Sequence, residues 1–170
     1  MTTKKSLRTL VVLALIAGIG LAPSANAATK PTVAQKLQLQ YLVEEEKLAR
    51  DVYAYLATNV TTQKFSNITR SEQTHMDQIA AVLKTYNFYN PTLSRAPGVF
   101  RDAKLQSVYN DLIAKGSVDY TSAMGAGVTI EELDISDLSK IIGVNMPADM
   151  KLALDNLMRG SVNHLAAFKR

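Results

Sequence analysis

Three consecutive carboxylates stand in the middle of the strongest helix-forming run of the chain, Tyr41-Leu42-Val43-Glu44-Glu45-Glu46-Lys47-Leu48-Ala49-Arg50-Asp51-Val52-Tyr53. The run has no glycine or proline, and apolar residues at 42, 48, 49, 52 and 56 recur near helical spacing, which predicts a long amphipathic helix. Successive helix positions lie about 100° apart, so three acids in a row fan over more than half the circumference and at least one leans toward the apolar side. A carboxylate there needs a partner or a metal. Glu46 is the leading inward candidate, because Glu46-x-x-Ala49-x-x-x-Tyr53 puts an acid, a small residue and a tyrosine on one stripe. The small residue lets a neighbouring helix come close, and the Tyr53 hydroxyl can bond a carboxylate deeper in the fold. Glu45 shares a stripe with Leu42, Leu48 and Val52 and is the rival. Glu44 is expected to face solvent.

This first helix is expected from about Ala34 to Thr58, ended by the polar segment Asn59 to Ser66. A second begins near Thr69, where Thr69-x-x-Glu72 has the form of a capping box, and stops before Asn90-Pro91. Two prolines and a glycine make Pro91 to Gly98 irregular, and a short helix follows from Asp102 to Ala114, closed by Gly116. A third long helix is expected from Val118 to Ile142, broken or kinked at Gly125 and Gly127, since each glycine costs about 1 kcal/mol in a helix interior. Gly143 suits a C-cap, and Pro147 suits the first turn of a fourth long helix that runs through Phe168. No β-alternation of useful length intervenes. The fold class implied is all-α: a four-helix bundle with an extra short helix in the crossover between its second and third long helices.

The amino terminus reads differently. Residues 1–27 have the parts of a secretory signal: Lys4, Lys5 and Arg8, an apolar run from Leu10 to Leu21, and small residues ending in Ala25-Asn26-Ala27. The apolar run is short of the ~20 residues of a spanning helix, so cleavage after Ala27 and export, periplasmic or secreted, are expected rather than an uncleaved anchor. The bundle domain would then be residues 28–170, with no membrane span. The signal carries three of the 19 Lys and Arg and none of the 15 Asp and Glu, so the remainder is nearly balanced in charge. Neither a basic stripe nor an aromatic-plus-arginine platform suggests nucleic acid. With no cysteine in the chain, the domain is held by core burial, and thiolate sites and thiol catalysis are excluded. Any metal must be held by oxygen and nitrogen ligands, and the chain has only two histidines, His75 and His164.

Glu72 and His75, three residues apart, share a face one helical turn apart and can reach one metal centre. The competing reading makes Glu72 a capping acid and His75 a surface or hydrogen-bonded core residue. In the third long helix, Met124, Val128, Glu131, Ile135 and Leu138 form an apolar seam with a single carboxylate in it, and Asp134 lies on the adjoining face. Glu131 could equally be a partly exposed acid, while Glu132 and Asp137 point to solvent. His164 shares its face with Leu157, Gly160 and Phe168, so it looks inward as a ligand or as a neutral hydrogen-bonded histidine, with Ser161 and Asn163 as supporting groups. Four helices contributing carboxylates and few nitrogens suit one or two iron or manganese ions better than a structural zinc.

These residues resemble the ferritin-like superfamily of di-iron carboxylate bundles, which includes ferritins, bacterioferritins and rubrerythrins. Glu46-x-x-Ala49-x-x-x-Tyr53 resembles its first-helix pattern, Glu72-x-x-His75 its second-helix motif, and Glu131-x-x-Asp134 the paired third-helix acids of rubrerythrins. More closely, the phrases from Glu44 to Tyr53, Asn67 to Met76, Ile130 to Ile135 and Asn163 to Leu165 resemble the DUF2202 family of ferritin-like proteins. The resemblance implies a ligand set of Glu46, Glu72, His75, Glu131 and His164, with Asp134 and Glu45 in reserve and Tyr53 as a hydrogen-bond donor to a ligand. One departure stands out: the superfamily carries a second Glu-x-x-His on the last helix, and here the motif is Ser161-x-x-His164. A mononuclear site, an asymmetric pair completed by Asp134, and a vestigial site all remain open. The activity implied is oxidation or peroxide handling, with an electron donor from outside the chain if the site is redox-active, and homo-oligomerisation undecided. The alternative is a non-catalytic envelope bundle used for structure or interaction. The short crossover does not match the long connection of cage-forming ferritins, so storage in a cage is the least favoured reading.

Overall fold

The computed structural model describes residues 30–143 and 145–170, and the expected export signal at 1–27 lies outside them. The described residues form five helices in the order α1 (Val33–Leu56), α2 (Gln63–Thr85), α3 (Ala103–Gly116), α4 (Tyr120–Ile141) and α5 (Ala148–Phe168), with no strand among them. Side chains start four of the five. Thr32 and Gln35 cap α1 reciprocally, the Thr32 N–H donating to Gln35 Oε1 at 2.8 Å and the Gln35 N–H to Thr32 Oγ1 at 3.2 Å. Thr62, Asp102 and Asp119 accept from the first turns of α2, α3 and α4. Pro147 occupies the N-cap of α5.

The second helix starts at Gln63, not near Thr69. The polar segment after α1 ends at Thr62 because burial of Phe65 and Ile68 against the core draws the next turn into helix despite its weak local propensity. Thr69 is therefore interior, and its hydroxyl donates to the Phe65 carbonyl at 2.7 Å. This removes the capping-box explanation of Glu72. Nor does α4 break at its glycines. A Cβ on Gly127 would lie 2.6 Å from the Phe168 ring, so this glycine lets α5 close on α4, and Gly125 is exposed with open space beside it. Close packing outweighs the propensity penalty. The C-cap of α4 is Ile142 in extended conformation rather than Gly143.

The helices α1, α2, α5 and α4 pack in a ring, each against the next, and α3 lies across α1 and α4. Two apolar layers fill the ring. One contains Val52, Tyr53, Phe65 and Phe168, and the other Leu39, Leu42, Ile79, Leu83, Leu154 and Leu157. Between them every long helix presents polar residues at mid-length: 44–46 on α1, 72 and 75 on α2, 131 and 134 on α4, 161 and 164 on α5. All of these are buried.

Glu44 is also buried, at 3% exposure, contrary to its expected solvent-facing position. It points outward from the bundle but under the α2–α3 crossover, where Glu44 Oε1 accepts the Arg101 N–H at 2.5 Å. Lys47 and Asp51 continue the same stripe. Lys47 Nζ donates to the Ala96 carbonyl at 2.9 Å, sits 4.5 Å over the Phe100 ring and pairs with Asp51, which accepts the Gly98 N–H at 2.8 Å. The same Asp51 takes two bonds from Arg50, at 2.9 and 2.7 Å. The charged run of α1 thus divides its labour, one side facing the core and the other fastening an irregular crossover whose backbone groups have no helical partners.

Candidate metal centre

At the centre of the polar belt, Glu72 faces two histidines on different helices. Its Oε2 lies 2.8 Å from His75 Nδ1 and its Oε1 lies 2.8 Å from His164 Nδ1. Glu46 Oε2 approaches His75 Nδ1 at 3.2 Å, and Glu131 Oε1 approaches His164 Nδ1 at 3.6 Å. Two triads result, Glu46–Glu72–His75 and Glu72–Glu131–His164, each with one ligand atom per residue inside a 4.8 Å span. They share Glu72. The His75 and His164 rings stack with centroids 5.6 Å apart.

The supporting groups are equally buried. Tyr53, fully buried on α1, donates to Glu131 Oε1 at 2.6 Å, the deeper carboxylate its position foretold. Ser161 Oγ lies within hydrogen-bond reach of both Asp134 Oδ2 and the Leu157 carbonyl, which share its single proton. The serine that replaces the expected last-helix acid therefore holds an acid from α4 in its place, and leaves Asp134 Oδ1 buried without a partner. Asn163, expected to support His164, is exposed. Glu45 is buried toward α4 at 2% exposure and lies outside both triads. Glu132 is exposed as expected, and Asp137 is partly exposed and paired with Lys140 at 2.6 Å.

One residue was missed in the sequence. A Cβ on Gly160 would lie 2.4 Å from both Cε1 and Nε2 of His75, so the backbone of α5 is the seat against which that ring is pressed. Its position on the His164 face hinted at close approach, but its ring partner comes from another helix. Gly160→Ala is expected to push His75 off Glu46 and Glu72, destabilising the protein by about 1–3 kcal/mol and weakening divalent-cation binding about 10–100-fold. Manganese titration and urea unfolding of the variant check both, and unchanged binding would refute the seat.

Electrostatics sharpen the site. Burial pushes Glu46 and Asp134 well above the usual carboxylate range and brings Glu131 to about 7. Burial acts the same way on Glu72, yet the close approaches of His164 and His75 outweigh it and hold Glu72 down at about 2. Burial also opposes charge on the histidines, but Glu46 and Glu72 lift His75 to about 10, and Glu131 and Glu72 lift His164 to about 9. Left to itself, the cluster balances its charge with protons, held on the two histidines beside an ionised Glu72 and on Glu46 and Asp134. A cation bound there displaces them.

The residues fit a divalent cation pair. Glu46 Oε1, Glu72 Oε1, His164 Nδ1 and Asp134 Oδ1 are buried without a hydrogen-bond partner, a state that is expensive unless something else satisfies them. His164 Nδ1 and Glu72 Oε1 are close yet out of line for a hydrogen bond. Two ligands about 2.1 Å from one ion and at right angles lie about 3 Å apart, close to the separations seen here. Four carboxylates, with Asp134 as the fourth, balance the charge of two divalent ions.

A family profile described as an uncharacterized protein domain, DUF2202, matches residues 35–170. An uncharacterized protein of Methanocaldococcus jannaschii, MJ0754, is 46% identical over 127 residues, which span 75% of this chain and 69% of the relative. A crystal structure of the hypothetical protein MJ0754 aligns with a TM-score of 0.77 at 43% identity, covering 81% of this chain and 79% of that one.

Proposed function

The chain belongs to the DUF2202 family, and we propose that it is a ferritin-like bundle that holds iron or manganese, one ion in each triad, and uses them for oxidation or peroxide chemistry outside the cytoplasm. The observation that carries this reading is the shared carboxylate: both oxygens of Glu72 face a histidine, one from α2 and one from α5, with a further acid beside each. The ring of four long helices joined by one crossover supports the ferritin-like assignment. Glu46, Glu72 and His75 would hold one ion, and Glu72, Glu131 and His164 the other, with Asp134 Oδ1 the spare oxygen between α4 and α5.

Bound iron or manganese supplies Lewis acidity and redox capacity at this point. The chain supplies the rest. Tyr53 fixes the Glu131 carboxylate through its hydroxyl, and Ser161 fixes Asp134, whose Oδ1 stays free. The apolar layers above and below exclude water, which strengthens every charge interaction inside. Electrons, if consumed, come from an external donor. Export rests on the amino-terminal pattern, and a mature form beginning at Ala28 in the extracytoplasmic fraction is the expected result.

Elemental analysis of protein purified after aerobic expression tests the metal assignment. Iron or manganese at up to two ions per chain, matching the two triads, is expected, with a higher melting temperature for the loaded protein. Trace metal with none taken up on titration would leave a non-catalytic bundle.

A further inference from the structure

Glu45 is 2% exposed, and neither of its carboxylate oxygens has a hydrogen-bond partner. Its neighbours differ: Glu44 accepts from the crossover and Glu46 from His75. A buried, unpartnered carboxylate opposes folding, so Glu45 is a residue the fold would be better without. One turn before it, Tyr41 is half-buried with its hydroxyl also unpartnered. Tyr41 lines a surface cleft between α1 and α4 together with Leu37, Gln38, Asp137, Lys140 and Ile141. On the inner side stands Asp134, whose Oδ1 is buried and free.

Helix spacing orders these groups from the surface inward. Glu45 stands one turn from Tyr41 along α1, and Asp134 one turn from Asp137 along α4, so each cleft residue has a buried acid next to it on the way to the mid-length belt. Unpaired oxygens thus lead from the α1–α4 cleft to the shared site.

We propose that Glu45 and Asp134 form a transit station through which divalent cations pass from the α1–α4 cleft to the Glu46–Glu72–His75 position. The inference rests on the metal-binding reading above. Paired carboxylates are the chemistry that takes a hard cation from water. The station is a passage rather than a resting place, because among the described residues Glu45 belongs to neither group close enough to share an ion. Lys140 covers Asp137 at the mouth, but the lysine side chain is 68% exposed and can swing into solvent at little cost.

The test is Mn²⁺ uptake by metal-stripped full-length protein, followed through loss of the free-ion paramagnetic resonance signal, in wild type, Glu45→Gln and Asp137→Asn. Glu45→Gln is expected to slow uptake about tenfold, with final stoichiometry and affinity unchanged and a melting temperature no lower than wild type. Asp137→Asn slows it in the same sense, by less. Wild-type rates in both variants would overturn the passage. Loss of a bound equivalent in Glu45→Gln would make Glu45 a permanent ligand and overturn it too, as would unfolding of that variant. A wild-type protein that takes up no Mn²⁺ removes the metal reading itself, and with it this inference, and is read in the wild-type arm alone.

Discussion

Glu72→Gln is expected to abolish cation uptake at both positions, weakening each by more than about 100-fold. Glutamine keeps the size of the side chain but loses its charge, and it exchanges one ligating oxygen for an NH₂ group that cannot coordinate. Supporting residues alone affect metal affinity about 10–100-fold, so a shared ligand sets a larger loss. The effect is asymmetric across the site. Glu46→Gln or His75→Ala removes one ion and leaves the other triad, whereas Glu131→Gln or His164→Ala removes the opposite one. Manganese titration with elemental analysis of each variant checks the pattern. Loss of one equivalent in Glu72→Gln would show that the carboxylate serves only one histidine.

The largest stability effect lies away from the site. Asp51→Ala is expected to destabilise the protein by about 3–5 kcal/mol, because it leaves Lys47 as an uncompensated charge in the interior. Lys47 is 1% exposed, so its ammonium has no route to water without moving the crossover. The same change orphans the Gly98 N–H and releases Arg50 from two hydrogen bonds. Urea unfolding gives the free energy, and the melting temperature should fall by on the order of 10 °C. Replacing Lys47 by Met in the same chain recovers part of the loss, since an apolar pair tolerates burial better than a lone charge. A loss below about 1 kcal/mol would mean that the crossover is held by other contacts.

The inward faces were legible because the acids and histidines interrupt otherwise apolar stripes. Glu131 stands alone in its seam on α4, and Glu72 and His75 share a face one turn apart, so helical periodicity places them in the core. Tyr53 was readable for the same reason. The burial of Glu44 was not. It depends on where a crossover some fifty positions later passes over α1, and no local pattern carries that path. The start of α2 lies earlier than expected because Thr, Ser and Asn favour turns and caps locally, while Phe65 and Ile68 stabilise the helix only once packed. Spacing also could not say that Glu72 reaches a histidine on α5 as well as its own neighbour, or that Gly160 seats a ring from α2. Those are properties of how helices pair. The missing acid at Ser161 is the instructive case: read alone it is a lost ligand, but with α4 in place it is the group that positions Asp134.

Crystals soaked in Mn²⁺ and measured for anomalous scattering test the central claim most directly. The expected result is two peaks inside the bundle on either side of the Glu72 carboxylate, one beside Glu46 and His75 and the other beside Glu131 and His164. Peaks confined to surface acids, with none among these five side chains, would contradict it.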